Sequence, residues 1–252
     1  MAVSFETYLG AWLDDLERRH LADLRFPEVS RALRALSATY VENRSRLGEG
    51  AALSGAGKRA AFSLFYAPLH ALLVHHIASQ QRPPRQRVTL VDLGCGTGAA
   101  GAAWACTENP SPEIIGVDRH PWAAEEARST YRAFQLRART RVEDLTKTTL
   151  PAGSHVLAAY ALNELSDASR SAMLNTLLAH AARGGRVTIV EPLAGFVAPW
   201  WGHWQQAFEA AGGRADEWRT RPTLPPIVAK LDKAAGLNHR EITGRTLMLW
   251  HS

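Results

Sequence analysis

The sequence predicts an α/β protein, a doubly wound and mainly parallel sheet preceded by a helical segment. Three observations carry that prediction. From Val88 onward short apolar, β-branched runs alternate with helical stretches, the order that a parallel sheet with crossover helices requires. The run Val88–Leu93 enters a turn of small residues, Gly94-Cys95-Gly96-Thr97-Gly98, and leaves it as a helix. Ahead of it, residues 1–80 carry helical spacing throughout and no internal repeat.

Phe5, Leu9, Trp12, Leu13 and Leu16 recur at helical intervals until Phe26-Pro27 breaks the run; Leu33, Leu36, Tyr40 and Val41 resume it from Ser30. Glycines 48, 50, 55 and 57 mark a loop and candidate hinge over 47–57. A long apolar helix is expected from about Arg59 to Ser79, then a basic connector over 80–86. The strands are expected at 88–93, 113–117, 140–142, 155–160, 186–190, weakly at 217–220, and at 243–250. Between them lie helices near 97–107, 121–134, 168–182, 199–211 and 225–235, with Pro121 at a first-turn position that proline tolerates. The natural division is a helical lid or subdomain over 1–86 and a catalytic domain over 87–252.

Hydrophobic content of 46% and charged content of 21% are those of a globular chain, which argues against a disordered or fibrous class. The net charge of +5 permits an acidic partner without requiring one. Cys95 and Cys106 are the only cysteines, too few for a disulfide framework and without zinc-ligand spacing, so no metal site is expected. The N-terminus lacks the basic and apolar regions of a signal peptide, and no run reaches the roughly eighteen apolar residues of a membrane span. A reduced, cytoplasmic protein is the expectation.

A glycine turn after a strand lets a ligand approach the backbone, and Gly96, Gly98 and Gly101 even satisfy the spacing of a dinucleotide fingerprint. Asp92 argues otherwise. Two residues before Gly94, its carboxylate should lie at the strand tip beside the turn, opposing a pyrophosphate and suiting a cationic ligand. The string Asp92-Leu93-Gly94-Cys95-Gly96-Thr97-Gly98 resembles the first motif of the class I S-adenosylmethionine (SAM)-dependent methyltransferases, and residues 88–193 follow their layout. The resemblance implies SAM as cofactor and a doubly wound seven-stranded sheet with a late antiparallel pair.

Asp118, at the tip of the second strand, would accept hydrogen bonds from ribose hydroxyls or else cap the helix before Pro121. Arg119 and His120 would flank the adenine, and Asp144 is the better of two acids for its amino group. The resemblance implies that Tyr160 to Leu165 line the floor between SAM and the acceptor. Asn163 would orient the acceptor, and Glu164 would hold an amine or take a proton. Tyr66 and His70, a turn apart, would face the methionine moiety or the acceptor, although they also belong to a core stripe. Trp200 and Trp204 share a helix face and could wall a pocket, though core is the commoner use.

A looser resemblance links Arg31 to Tyr40, Tyr66 to His70, Leu162 to Leu165 and Val190 to Pro192 with methyltransferase-like proteins of the mitochondrial small ribosomal subunit and their bacterial relatives. It implies ribosomal RNA or a ribosome precursor as partner, although that family's cysteine-rich iron–sulfur elements are absent here. The rival acceptor is a small molecule or modified peptide. A SAM-binding assembly factor without catalysis is the third alternative.

Overall fold

The computed structural model describes residues 4–42, 53–84, 86–194 and 198–250. Five parallel strands form the body of a seven-stranded sheet: β1 (Thr89–Leu93), β2 (Glu113–Asp118), β3 (Ala138–Val142), β4 (His155–Ala159) and β5 (Arg186–Glu191). β6 (Arg214–Thr220) and β7 (Ile242–Leu249) complete it in the order β3-β2-β1-β4-β5-β7-β6, with β7 antiparallel to both its neighbours. The order reverses direction between β1 and β4. A crevice therefore opens past the carboxyl ends of these two strands.

The N-terminal part forms α1 (Phe5–His20) and α2 (Phe26–Glu42), the latter with Pro27 inside its first turn, so that the apparent breaker opens the helix. Next comes one continuous helical rod, α3 (Ala56–Ala61), a single π turn (Phe62–Tyr66) and α4 (Ala67–Ser79). Part of the expected hinge, residues 47–52, lies outside the described residues, as do Arg85 and the side chains of Tyr40 and Val41.

The rod corrects the expectation about membrane spans, because Ala56–Ser79 is long and apolar enough to cross a bilayer. Its burial explains that composition. Leu64, Phe65, Leu73, Val74 and Ile77 are fully buried in one cluster with Leu90 of the sheet and with α5 (Ala99–Ala105). α5 reads Ala-Ala-Gly-Ala-Ala-Trp-Ala, and side chains this small let α4 lie close against it.

The core runs across residue 86 without a break. α1 packs on α6 (Pro121–Ala133): the Trp12 indole donates to Thr130 Oγ1 at 3.1 Å, and Arg19 forms a two-pronged pair with Glu126 at 2.9 and 2.7 Å. Phe5 stacks on His75 of α4 at 3.8 Å. On the opposite face of the sheet, α7 (Asp167–Ala182) and α8 (Trp201–Ala210) cover Val91, Val156, Ile189 and Leu247. α9 (Pro226–Ala235) packs against α2.

Candidate active site

Four of the five parallel strands bring a polar or small residue, at or just past their ends, to the same rim. Asp92 and Gly94 come from β1, Asp118 from β2, Tyr160 from β4 and Glu191 from β5. They line one cavity of about 970 Å³, whose far wall is Phe62, Tyr66 and His70 from the π turn and α4. Of the residues expected at the site, Asp92, Gly94, Cys95, Gly96, Thr97, Asp118, Arg119, Asp144, Tyr160, Asn163, Glu164, Tyr66 and His70 all line it. Gly98 does not. Its φ of +77° sets the start of α5, and an added Cβ would lie 2.9 Å from the Ala127 backbone of α6.

Three of the turn's amide groups are already engaged. Cys95 N donates to Val117 O at 2.9 Å, Gly96 N to Asp118 Oδ2 at 2.9 Å, and Gly98 N to Cys95 O at 2.7 Å. A pyrophosphate would need those donors. Gly94 holds φ +66°, and a Cβ there would stand 2.4 Å from that of Ala161, so only glycine lets β1 and the β4 loop close under the cavity floor. Gly101, the third glycine of the apparent dinucleotide spacing, answers to a different demand: a Cβ would strike Asp92 Oδ2 at 2.3 Å.

Asp92 itself corrects the electrostatic expectation. Its carboxylate is not a bare anion beside the turn but 1% exposed and directed under α5. Oδ2 accepts from Gly101 N at 3.1 Å and from the Tyr131 hydroxyl at 2.9 Å. Burial lifts its pKa to about 7, against the pull of those two hydrogen bonds.

Asp118 is not the cap of α6, because His120 Nδ1 accepts from Trp122 N in that role. Its carboxylate instead clamps two loops, taking Gly96 N and, at 2.8 Å, His120 N. Asp144 caps a short 3₁₀ turn through Thr146 N, and those hydrogen bonds hold its pKa down. Glu164 sits on the exposed rim, paired with Arg119 at 3.3 Å, and not at the floor. Burial raises its pKa even so. Asn163 and Asp167 are not caps either, since Ser166 caps α7.

The floor is made by a residue that the sequence reading passed over as a site residue. Glu191 ends β5 fully buried, and its Oε2 accepts from Asn163 Nδ2 at 2.5 Å. Trp200 in turn donates its indole N–H to Asn163 Oδ1 at 2.9 Å. An acid directly after the apolar run Val187-Thr188-Ile189-Val190 is the signal already read at Asp92 and Asp118. Trp201 and Trp204 are core, and Trp200 alone of the three reaches toward the site.

In the same cavity, His70 stacks on Tyr160 with centroids 3.9 Å apart and planes 18° from parallel. Tyr160 holds φ +61°, a strained value for a non-glycine residue, and so turns its ring into the cavity wall. Burial pushes His70 down to about 3 and lifts the Tyr160 and Tyr66 hydroxyls above their ordinary range, so this wall is uncharged. Among the described residues no group of side chains could hold a metal ion.

Residues 90–185 match a family described as a methyltransferase domain. No curated protein matches the sequence. Among solved structures, the chain is similar to a Nostoc punctiforme PCC 73102 protein inferred to be an O-methyltransferase (17% identity, 87% of this chain and 71% of that one, TM-score 0.56). It is also similar to the mitomycin 7-O-methyltransferase MmcR (15% identity, 99% and 76%, TM-score 0.53). A third is the magnesium protoporphyrin IX methyltransferase of Synechocystis PCC 6803, solved with bound SAM (13% identity, 94% and 91%, TM-score 0.48).

Proposed function

We propose that this chain, which carries a class I SAM-dependent methyltransferase domain, moves the methyl group onto a nitrogen or oxygen of an acceptor that enters beneath the N-terminal helices. One observation carries the reading: the glycine turn and Asp118 share a single cavity with the His70–Tyr160 stack, Asn163 and Glu191. A volume of about 970 Å³ lies at the upper end for a ligand site and leaves room for an acceptor beside the donor.

The residues present fit SAM. Three of the turn's backbone donors are engaged, which suits a ligand without phosphate, and Asp118 keeps a carboxylate on the ribose side. SAM, when bound, supplies an electrophilic methyl group on a sulfonium. The chain's own part is orientation and exclusion of water. The uncharged aromatic wall holds a flat or apolar acceptor face, while Asn163, fixed from both sides by Trp200 and Glu191, aligns its polar atom. The free thiols Cys95 and Cys106 fit a reducing compartment, and we place the enzyme in the cytoplasm.

A ribosomal RNA or ribosome-precursor acceptor is a second reading with its own observation. Arg137, Arg139 and Arg141 fall on one face along the edge strand β3, which leads to Asp144 at the cavity rim. Against it, Arg139 already pairs with Glu113 at 2.9 Å and Arg141 with Glu143 at 4.0 Å. Methyl transfer from labelled SAM separates the two. Incorporation into small aromatic amines or alcohols supports the first reading. Incorporation confined to RNA, with binding that falls steeply with salt, replaces it by the second.

A further inference from the structure

The acid at the end of β5, Glu191, is a fully buried carboxylate in the cavity lining, held by the Asn163 amide. We propose that Glu191 receives the acceptor, that Asn163 and Trp200 position it, and that the acceptor therefore presents a basic amine nitrogen. The inference rests on the functional reading above and narrows its acceptor from nitrogen or oxygen to an amine.

The geometry leads there in three steps. Glu191 lines the cavity, and its Oε2 is pinned by the Asn163 amide, which Trp200 holds from behind. This chain fixes the carboxylate's direction, as side chains around a working group must. Next, the residue set against Glu191 across the sheet is a cation. Arg245 is its register partner on β7 and is stacked over Trp201 at 4.2 Å. No other acid opposes it at this end, since Glu164 is turned to the rim and Asp92 lies under α5. Finally, the aromatic wall supplies no rival base. His70 is half-buried, stacked on Tyr160 and reluctant to take a proton, and Tyr160 and Tyr66 stay neutral beside it.

A buried carboxylate that shares its cavity with aromatic rings is a recognition site for an amine, which it binds as the ammonium ion. The ammonium N–H bond breaks as its proton passes to the Glu191 carboxylate, leaving a neutral amine with a free lone pair. That lone pair forms the new N–CH₃ bond as the S–CH₃ bond breaks, and the bonding pair stays on sulfur. The positive charge of the sulfonium ends on the methylated nitrogen, and the proton on Glu191 leaves to solvent.

The test uses the full chain saturated with S-adenosylhomocysteine, with benzylamine and benzyl alcohol as matched probes in calorimetry. The expected result is that benzylamine binds at least tenfold tighter than the alcohol, and that Glu191→Gln removes this preference while S-adenosylhomocysteine affinity stays within about twofold. Trp200→Phe keeps the carboxylate but removes the indole N–H. It should weaken benzylamine several-fold and broaden the pH profile of amine binding, which a purely structural role would not do. It also serves where Glu191→Gln does not fold. Equal binding of both probes to the wild type, or a preference that survives Glu191→Gln, overturns the proposal and leaves the broader function standing. If neither probe binds, the small-acceptor reading falls with it.

Discussion

Asp92 shows how one buried side chain ties the fold to its ligand. An isolated carboxylate out of water is costly, and here one hydroxyl and one amide share a single oxygen of it, with no cation in contact. The native state therefore holds a proton on Asp92 up to about pH 7, against an ordinary value of 3.8. The folded pKa of this acid is raised, so the native state binds more protons than the unfolded chain between those two values. Its stability in the unliganded protein is full below the lower value and declines as pH rises through the upper one. In the proposed function a SAM sulfonium above the turn would reverse the preference, because a nearby cation favours the ionised form. Affinity for SAM should thus rise by about tenfold between pH 6 and 8, while affinity for the uncharged sulfur of S-adenosylhomocysteine changes far less. Calorimetry in two buffers of different ionisation heat should also register proton release with the first ligand. Asp92→Asn should weaken SAM yet leave the empty protein as stable or more stable at pH 8, read by urea denaturation. A variant that loses stability and keeps its SAM affinity would show that Asp92 is only a packing residue.

At the scale of elements, the joint between α1 and α6 is the clearest case of a polar contact under strain from burial. Glu126 is 5% exposed; burial alone would raise its pKa, but His20 and Arg19 bring it down to about 2. A depressed acid contributes stability that is present above its unfolded pKa and disappears as pH falls through the folded one. The joint should therefore weaken only in strong acid, below about pH 4. Glu126→Gln should cost about 2 kcal/mol near neutrality, discounted because Arg19 is partly exposed, and should flatten the acid limb of the stability curve. No loss in urea melts would mean that Trp12 and its neighbours carry the joint by packing alone. The elements themselves were largely legible. β1 and β2 lay within a residue or two of their expected bounds, because apolar runs that end in an acid mark parallel strands and their rim together. What the sequence hid was long-range or subtle. The π turn at 62–66 needs one extra residue per turn, which no periodicity shows, yet it accompanies Phe62 and Tyr66 on the cavity wall. The resemblance points to Glu164 as the working acid because it implies that the segment after β4 lines the floor between SAM and the acceptor. Only the tertiary fold shows that Asn163 reaches across to Glu191, 28 residues on. β6 begins at Arg214, three residues before the expected 217, because its residues are only partly buried and carry little apolar signal.

For the whole molecule the open question is whether residues before 87 form a detachable lid or part of one cooperative unit. The magnitudes favour the second. Leu64, Phe65, Leu73, Val74 and Ile77 are fully buried in the same cluster as Leu90, Ala102 and Ala103. Each such side chain contributes about 2 kcal/mol on burial, so five of them contribute on the order of 10 kcal/mol. That is comparable to the entire stability of an ordinary domain, about 5–15 kcal/mol. Tyr66 and His70 stand on this rod, so the wall of the cavity and the cover of the sheet are one object. The full chain should then unfold in a single transition, coincident by circular dichroism and tryptophan fluorescence. Saturation with S-adenosylhomocysteine at about a hundredfold over its Kd should shift that whole transition by about 2.7 kcal/mol. A fragment of residues 87–252 should show no cooperative melt and no S-adenosylhomocysteine binding. If that fragment folds and binds with the affinity of the full chain, the helices before residue 87 are a lid after all, and the acceptor wall they supply is dispensable to the donor site.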